Sequence, residues 1–166
     1  MSMDIGLGAD RVQLRRARFW GDFAHVFLRH PLRLLGLFLG LLLKADFRER
    51  IMLAVTQVNG CGLCAWAHTR EALRAGIDRA EIRQMLAAEF DGVPEAQRTA
   101  LLFAQHWADT QGQPDAAAQA AFEAAYPPAE RANIVFAIRT INTMNHMMLG
   151  LEGLLRAVGL ARRQKG

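Results

Sequence analysis

Helix-length segments, with apolar residues mostly three or four positions apart, fill this chain from about residue 10 to residue 163. Such spacing puts the apolar side chains on one face of an α-helix. The alternation of apolar and polar residues that is typical of a β-strand is nearly absent. The pattern therefore predicts an all-α fold, a single-domain bundle of about seven to nine helices.

The predicted helices begin and end at recognisable residues. Pro31 suits a first helical position, where its missing N–H is not needed, and Asn59-Gly60 is a typical helix end. Asp78 and Glu81 have the spacing of a capping box. The predicted helices cover residues 10–29, a stretch from 31, residues 46–58 and 61–76, a stretch from 78, then 94–111, 116–126 and 129–163, the last being one helix or two broken near Gly150 or Gly153.

The chain has 166 residues, of which 52% are hydrophobic and 22% are charged. This length is typical of one domain, and the apolar content is too high for a disordered chain. Two cysteines are too few for the disulfide framework of a small secreted domain. We expect residues 1–45 to form a helical extension that packs on a core formed by residues 46–166.

The net charge of +4 comes entirely from the first part of the chain, since residues 1–50 hold nine basic and five acidic side chains. Beyond residue 50 the two signs balance at eleven each. The basic residues are spaced and mixed with acids, whereas a nucleic-acid-binding surface clusters them. We therefore expect no nucleic-acid partner.

The most apolar run, residues 34–43, contains only leucine, phenylalanine and glycine between Arg33 and Lys44. At ten residues it is well short of the roughly 20 that span a bilayer. We interpret it as a buried helix or a subunit contact, with interfacial membrane contact as the alternative. The chain start lacks the pattern of a secretory signal, and we expect a cytoplasmic protein without a membrane span.

The chemistry suggested by the sequence centres on Cys61-Gly-Leu-Cys64, a C-x-x-C pair at a predicted helix start, with His68 four residues further on. Offsets of three, four and seven fall on one helix face, so we expect both thiols and the imidazole to share it. A helix N-terminus and a nearby imidazole both favour the thiolate. The pattern indicates a redox or nucleophilic site.

Two other interpretations of the cysteines remain open at this point. Both thiols could be small buried apolar groups, because free cysteine is often buried. A zinc site would need a carboxylate to join Cys61, Cys64 and His68, because structural zinc takes four ligands and the chain has no second C-x-x-C. A thioredoxin requires a βαβ context and is excluded by the helical pattern. We expect neither a metal nor a cofactor.

The motif Glu49-x11-Cys61-x2-Cys64-x3-His68, followed by Gly76 and a capped helix, resembles the alkylhydroperoxidase D-like branch of the carboxymuconolactone decarboxylase superfamily. The resemblance extends over about residues 46–159. It implies an all-α, cofactor-free peroxidase that works through its thiols. It also implies a homo-oligomer, a trimer or hexamer, with active sites near subunit contacts.

The resemblance also implies a role for each motif residue. Cys64 would attack the peroxide, and Cys61 would resolve the product to a disulfide that an external dithiol or protein reductant reduces. His68 would accept the proton of Cys64, and Glu49 would orient and polarise His68. Only the resemblance brings in Glu49, because spacing across the Asn59-Gly60 turn does not establish a contact.

The sequence departs from the best-known members of that branch at Leu63, where they carry a second histidine that leucine cannot replace in a proton relay. Two rival functions follow from the family and the pattern. One is carboxymuconolactone decarboxylase-type lactone chemistry, and the other is a non-catalytic helical module that oligomerises or senses oxidants.

The other histidines and aromatic residues have simpler interpretations. His25, His30 and His106 have no partner at ligand spacing. His146 lies in a methionine-rich stretch that we interpret as core packing, with a substrate cavity as the alternative. Trp66 is off the Cys-Cys-His face, and we expect it to be a packing residue.

Overall fold

The computed structural model describes residues 17–158, and this part of the chain is helical and contains no β-strand. The predicted all-α, single-domain fold is confirmed. The predicted helical residues 10–16 and those beyond 158 lie outside the described residues. The helices are α1 (residues 17–29, with Ala24–Arg29 wound as a π-helix), α2 (Pro31–Phe38), α3 (Ala45–Asn59), α4 (Gly62–Arg74), α5 (Arg79–Leu86), α6 (Glu95–Asp109), α7 (Ala116–Ala125) and α8 (Pro128–Ala157).

Several helix ends lie where the sequence predicts them. Pro31 is the first residue of α2. Gly60 ends α3 in the left-handed conformation, with φ 68°, which favours glycine. The Asp78 side chain accepts a hydrogen bond from the Ala80 N–H at 2.6 Å and so caps α5. Glu81 does not complete the predicted capping box, because its carboxylate instead binds Arg50 of α3.

Helix α8 runs unbroken over 30 residues, so the alternative of two helices divided near Gly150 or Gly153 is wrong. A single glycine costs a helix only about 1 kcal/mol relative to alanine. The leucine and methionine residues around both glycines favour the helix, which explains its continuity.

Helix α3 is the centre of the bundle and packs against α4, α5, α6 and α8. Its residues 47–56 are all buried, including the charged side chains of Arg48, Glu49 and Arg50. A helix that is surrounded by others needs no polar face. The three charged side chains must therefore find partners inside the protein.

The Arg50 guanidinium is the hub of an ion-pair network on one side of α3. It donates to Asp46 at 2.6 Å, to Glu81 of α5 at 2.5 Å and to Gln97 of α6 at 3.1 Å. Burial alone would raise the pKa of Asp46, but hydrogen bonds from Arg50 and Gln97 bring this pKa below its ordinary value. The network therefore stabilises the charged form of Asp46 and ties α3 to its neighbours.

We expect Asp46→Asn to lower the free energy of unfolding by roughly 1 kcal/mol at neutral pH, on the scale of a partly exposed ion pair. A carboxyl group with a lowered pKa in the folded state stabilises the protein above its ordinary pKa, and this contribution is lost as the pH falls through the lowered value. The difference between wild type and variant should therefore shrink in urea unfolding below about pH 4.

The control for this prediction is Asp91→Asn, which changes an exposed acid that makes no ion pair among residues 17–158. Its effect on stability should be small at every pH. A constant difference between wild type and Asp46→Asn across the acid range would contradict the role assigned to the network.

The apolar run at residues 34–43 is not a buried helix throughout, so this half of the interpretation is wrong, and a subunit contact stays a prediction. Helix α2 ends at Phe38, and the run continues through a turn at Gly40, whose φ is +75°. Leu37 and Leu43 are buried, while Leu39 and Leu41 are 64% and 76% exposed. None of the described helices combines the length and apolar character needed to cross a membrane.

Candidate active site

Cys61 and Cys64 form a disulfide with a Cα–Cα distance of 5.3 Å, within the usual range for such bonds. Cys61 is the N-cap of α4, and its Sγ accepts a hydrogen bond from the Cys64 N–H at 3.3 Å. The expectation that one helix face carries both cysteines and the histidine is thus only partly correct, because Cys61 precedes the helix. Its backbone lies extended (φ −79°, ψ 97°) because Gly60 has just turned the chain.

Both cysteines and His68 are close to fully buried, at 2%, 6% and 8% exposure. His68 lies one helical turn after Cys64 on α4, so the two side chains are neighbours on the surface of that helix. The Cys64 N–H, one of the first-turn donors that lack a partner within α4, donates to the Cys61 sulfur, and the helix dipole places partial positive charge at this end of the helix. A cysteine at a helix N-terminus is in general more readily ionised than one in solution.

Glu49 of α3 meets His68 across the bundle, with its Oε2 2.8 Å from the Nδ1 of His68. The carboxylate is 1% exposed. An ionised carboxylate only accepts hydrogen bonds, so Nδ1 carries the hydrogen and donates it to Glu49. This leaves Nε2 of a neutral His68 without a proton, so Nε2 can accept one.

Arg48 is a buried partner of Glu49 that the sequence analysis missed. Its Nε donates to Oε1 of Glu49 at 2.7 Å, and one terminal nitrogen donates to the carbonyl oxygens of Leu37 at 3.0 Å and Phe38 at 2.8 Å. Neighbouring residues on a helix ordinarily point in different directions. The local sequence gave no signal for this contact, because it depends on the burial of α3 among the other helices.

A cavity of about 750 Å³ reaches Cys61 from the side of α8. The α4 end contributes Gly60, Cys61, Gly62 and Leu63, and Cys64 is not part of the lining. Its other lining residues come from the second half of α8: Met148, Leu149, Leu151, Glu152, Leu155 and Arg156. The wall beside the disulfide is therefore mainly apolar.

Two side-chain pairs anchor α8 on α3 near the site. The Thr56 hydroxyl and the Asn145 amide exchange hydrogen bonds at 3.2–3.3 Å in a fully buried position. Asn59 donates to Asn142 at 2.9 Å. His146, in contrast, is exposed, and its Nδ1 lies 2.7 Å from the Asn142 carbonyl oxygen of its own helix.

The remaining candidates do not join the site. Trp66 is 59% exposed with the Arg70 guanidinium 5.0 Å from its ring centre, so the expectation of core packing is wrong. His106 lies 3.1 Å from Asp115, away from the cysteines. The rings of His25 and His30 make an edge-to-face contact where α1 meets α2.

Within residues 17–158, no group of three or more histidine, cysteine, aspartate or glutamate side chains has the arrangement of a metal site. The two sulfur atoms are bonded to each other, and the nearest carboxylate to His68 is already hydrogen-bonded to it and to Arg48. The geometry is therefore that of a dithiol–disulfide pair next to a histidine–carboxylate pair.

Comparison with known protein families gives a match over part of the chain. The family model "Carboxymuconolactone decarboxylase family" matches residues 35–106, a segment that contains Glu49, Cys61, Cys64 and His68. Over this segment the chain is similar to the carboxymuconolactone decarboxylase family. Comparisons with curated proteins and with solved structures returned no significant match.

Proposed function

We propose that this protein is a thiol-dependent peroxidase of the alkylhydroperoxidase D-like branch, which reduces peroxides at the expense of an external dithiol. The observation that carries the proposal is that a pair of cysteines lies beside a buried histidine–carboxylate pair. Cys61 and Cys64 are close enough to form a disulfide, and His68 lies one turn after Cys64 with its Nδ1 held by Glu49. A thiol pair that only fills space needs no buried histidine–carboxylate pair beside it.

The first half of the reaction oxidises Cys64. His68 Nε2 takes the proton from the Cys64 thiol, and the thiolate attacks one peroxide oxygen. The O–O bond breaks, and the leaving alkoxide or hydroxide takes the proton from His68 and departs as alcohol or water. Cys64 is left as a sulfenic acid.

The second half returns the site to its starting state. The Cys61 sulfur attacks the Cys64 sulfur, the hydroxyl group leaves as water with the Cys61 proton, and the disulfide forms. An external dithiol then attacks this disulfide, becomes a disulfide itself, and returns two hydrogens to Cys61 and Cys64. The cavity lined by Cys61 offers such a reductant an approach.

Two further features of the proposal concern the setting of the enzyme. We propose a homo-oligomer, because Leu32, Leu35, Leu39 and Leu41 are each more than half exposed and monomers rarely expose large apolar patches. We propose a cytoplasmic location, because the compartment that keeps thiols reduced supports repeated turnover of such a site. No metal or cofactor takes part in either half-reaction.

The test is consumption of hydrogen peroxide and of an organic hydroperoxide by the purified protein with excess dithiothreitol. We expect catalytic turnover above the rate of dithiothreitol alone, and none after both thiols of the reduced protein are alkylated. A single round of disulfide formation without turnover would contradict the proposal and favour the redox-sensing alternative. Turnover that survives alkylation would contradict the role of the cysteines.

A further inference from the structure

We propose that Arg48 is a positioning residue of this site, which fixes Glu49 as the charged partner of His68 and couples that pair to the end of α2. The inference rests on the proposed function for its effect on rate. The structural part of the inference does not depend on the proposed function: it says that Arg48 determines which ring nitrogen of His68 carries the hydrogen.

Three hydrogen bonds fix the Arg48 guanidinium inside the protein. Nε binds Oε1 of Glu49, and a terminal nitrogen binds the carbonyl oxygens of Leu37 and Phe38, at 2.7, 3.0 and 2.8 Å. The residue is 7% exposed. The carbonyl groups belong to the last turn of α2, where helix carbonyls lack partners within the helix. Arg48 therefore binds the end of α2 and Glu49 together.

The two carboxylate oxygens of Glu49 have separate tasks as a result. Oε1 accepts from Arg48 and Oε2 accepts from His68, so the plane of the carboxylate is fixed at both ends. A planar guanidinium donates along several fixed directions at once, which a lysine ammonium does not match. The contact geometry thus requires arginine in particular.

The charge of Arg48 matters as much as its shape. A buried carboxylate without a cation favours its protonated form, and removal of one partner from a buried ion pair is strongly destabilising. A protonated Glu49 could donate to Nδ1, which would reverse the hydrogen bond and move the imidazole hydrogen to Nε2. His68 would then no longer accept a proton from Cys64.

The charged and titratable partners of Glu49 among the described residues are Arg48 on its own helix and His68 on α4. Arg50 supplies a matched control on the same helix. It is equally buried, at 6% exposure, and pairs with Asp46 and Glu81, but it does not contact Glu49 or His68. Replacement of Arg50 breaks partly buried ion pairs that do not include Glu49 or His68.

The first experiment compares peroxide turnover in Arg48→Met, Arg48→Lys, Arg50→Met, Glu49→Gln and the double variant Arg48→Met/Glu49→Gln. We expect Arg48→Met to lose roughly tenfold to a hundredfold in rate, the scale on which partners that orient a functional histidine act. Arg48→Lys should be intermediate because it keeps the charge. Arg50→Met should stay within about twofold of wild type, and the double variant should be no slower than Glu49→Gln.

Three outcomes would overturn the inference: a wild-type rate in Arg48→Met, an equal loss in Arg50→Met, or full additivity in the double variant. If Arg48→Met does not fold, Arg48→Lys decides, and a wild-type rate in that variant would refute the proposal. The acid limb of the pH–rate profile should move to higher pH in Arg48→Met and stay in place in Arg50→Met.

A second readout does not depend on peroxidase activity. The imidazole ¹⁵N signals of His68, assigned by their loss in His68→Asn, report which ring nitrogen carries the hydrogen. We expect the Nδ1–H form in wild type, Arg48→Lys and Arg50→Met, and its loss in Arg48→Met. If wild type shows no peroxidase activity, this comparison still tests Arg48, and an Nδ1–H form retained in Arg48→Met would overturn the inference.

Discussion

Cys64→Ser is expected to remove peroxide consumption down to the rate of the dithiol alone, a loss of about a thousandfold or more, which is the scale for removal of a covalent nucleophile. The serine hydroxyl is too weakly acidic to ionise at the α4 N-terminus, and its oxygen does not form the sulfenic acid on which the second half-reaction depends. The measurement is steady-state peroxide consumption with dithiothreitol.

Cys61→Ser is the matched control for this variant, because it replaces the other sulfur of the same disulfide. It should keep one fast round of peroxide reduction and leave Cys64 as a sulfenic acid, which a dimedone adduct reports. Catalytic rounds without the disulfide should be slow. A sulfenic acid on Cys61 in Cys64→Ser, at the wild-type rate, would contradict the assignment of the attacking cysteine.

His68→Asn carries the second large expected effect, a fall in peroxide turnover of about 10²- to 10⁴-fold, as for loss of a general base. The asparagine side chain still donates toward Glu49 but offers no basic nitrogen to Cys64. The Glu49–Arg48 pair remains intact in this variant, so the fold should be little disturbed. Thiol alkylation at neutral pH should also slow, because less Cys64 is ionised.

The control for His68 is His106→Asn, which removes a histidine that also faces a carboxylate. His106 lies 3.1 Å from Asp115 and is about one-third exposed. Its loss should leave the rate of peroxide consumption unchanged. Equal losses in the two variants would show that replacing His68 disturbs the protein as a whole, and would contradict its role as the base for Cys64.

Much of the helix order could be predicted because local chemistry decides it. Gly60 has to end α3, since its left-handed conformation penalises other residues, and Pro31 opens a helix because it needs no N–H donor there. The position of Cys61 one residue before α4 escaped prediction. Periodicity places residues on a helix face but does not distinguish the cap from the first turn.

The surroundings of the cysteines could be predicted less well, because they depend on contacts between helices. The Glu49–His68 contact crosses from α3 to α4, and spacing alone gives no distance across a turn. Arg48 escaped notice because an arginine beside an acid is ordinarily a surface residue. Its burial follows from the central place of α3 and from the α2 carbonyl groups, neither of which is visible in the local sequence.

The apolar run at residues 34–43 shows a similar limit. Its composition predicts burial, yet the turn at Gly40 splits it, and only some of its leucines reach the core. An apolar sequence favours burial, but it does not determine whether the burial occurs in the core of the same chain or against a second chain.

The central claim is that peroxide converts Cys61 and Cys64 to a disulfide, and mass spectrometry tests it directly. The protein is fully reduced, freed of reductant, treated with one equivalent of hydrogen peroxide, alkylated and cleaved with trypsin, which leaves both cysteines in the single peptide 51–70. We expect this peptide to lose two hydrogens, to resist alkylation and to regain both thiols with a dithiol. A stable sulfonic acid, or two alkylated thiols after peroxide, would contradict the central claim.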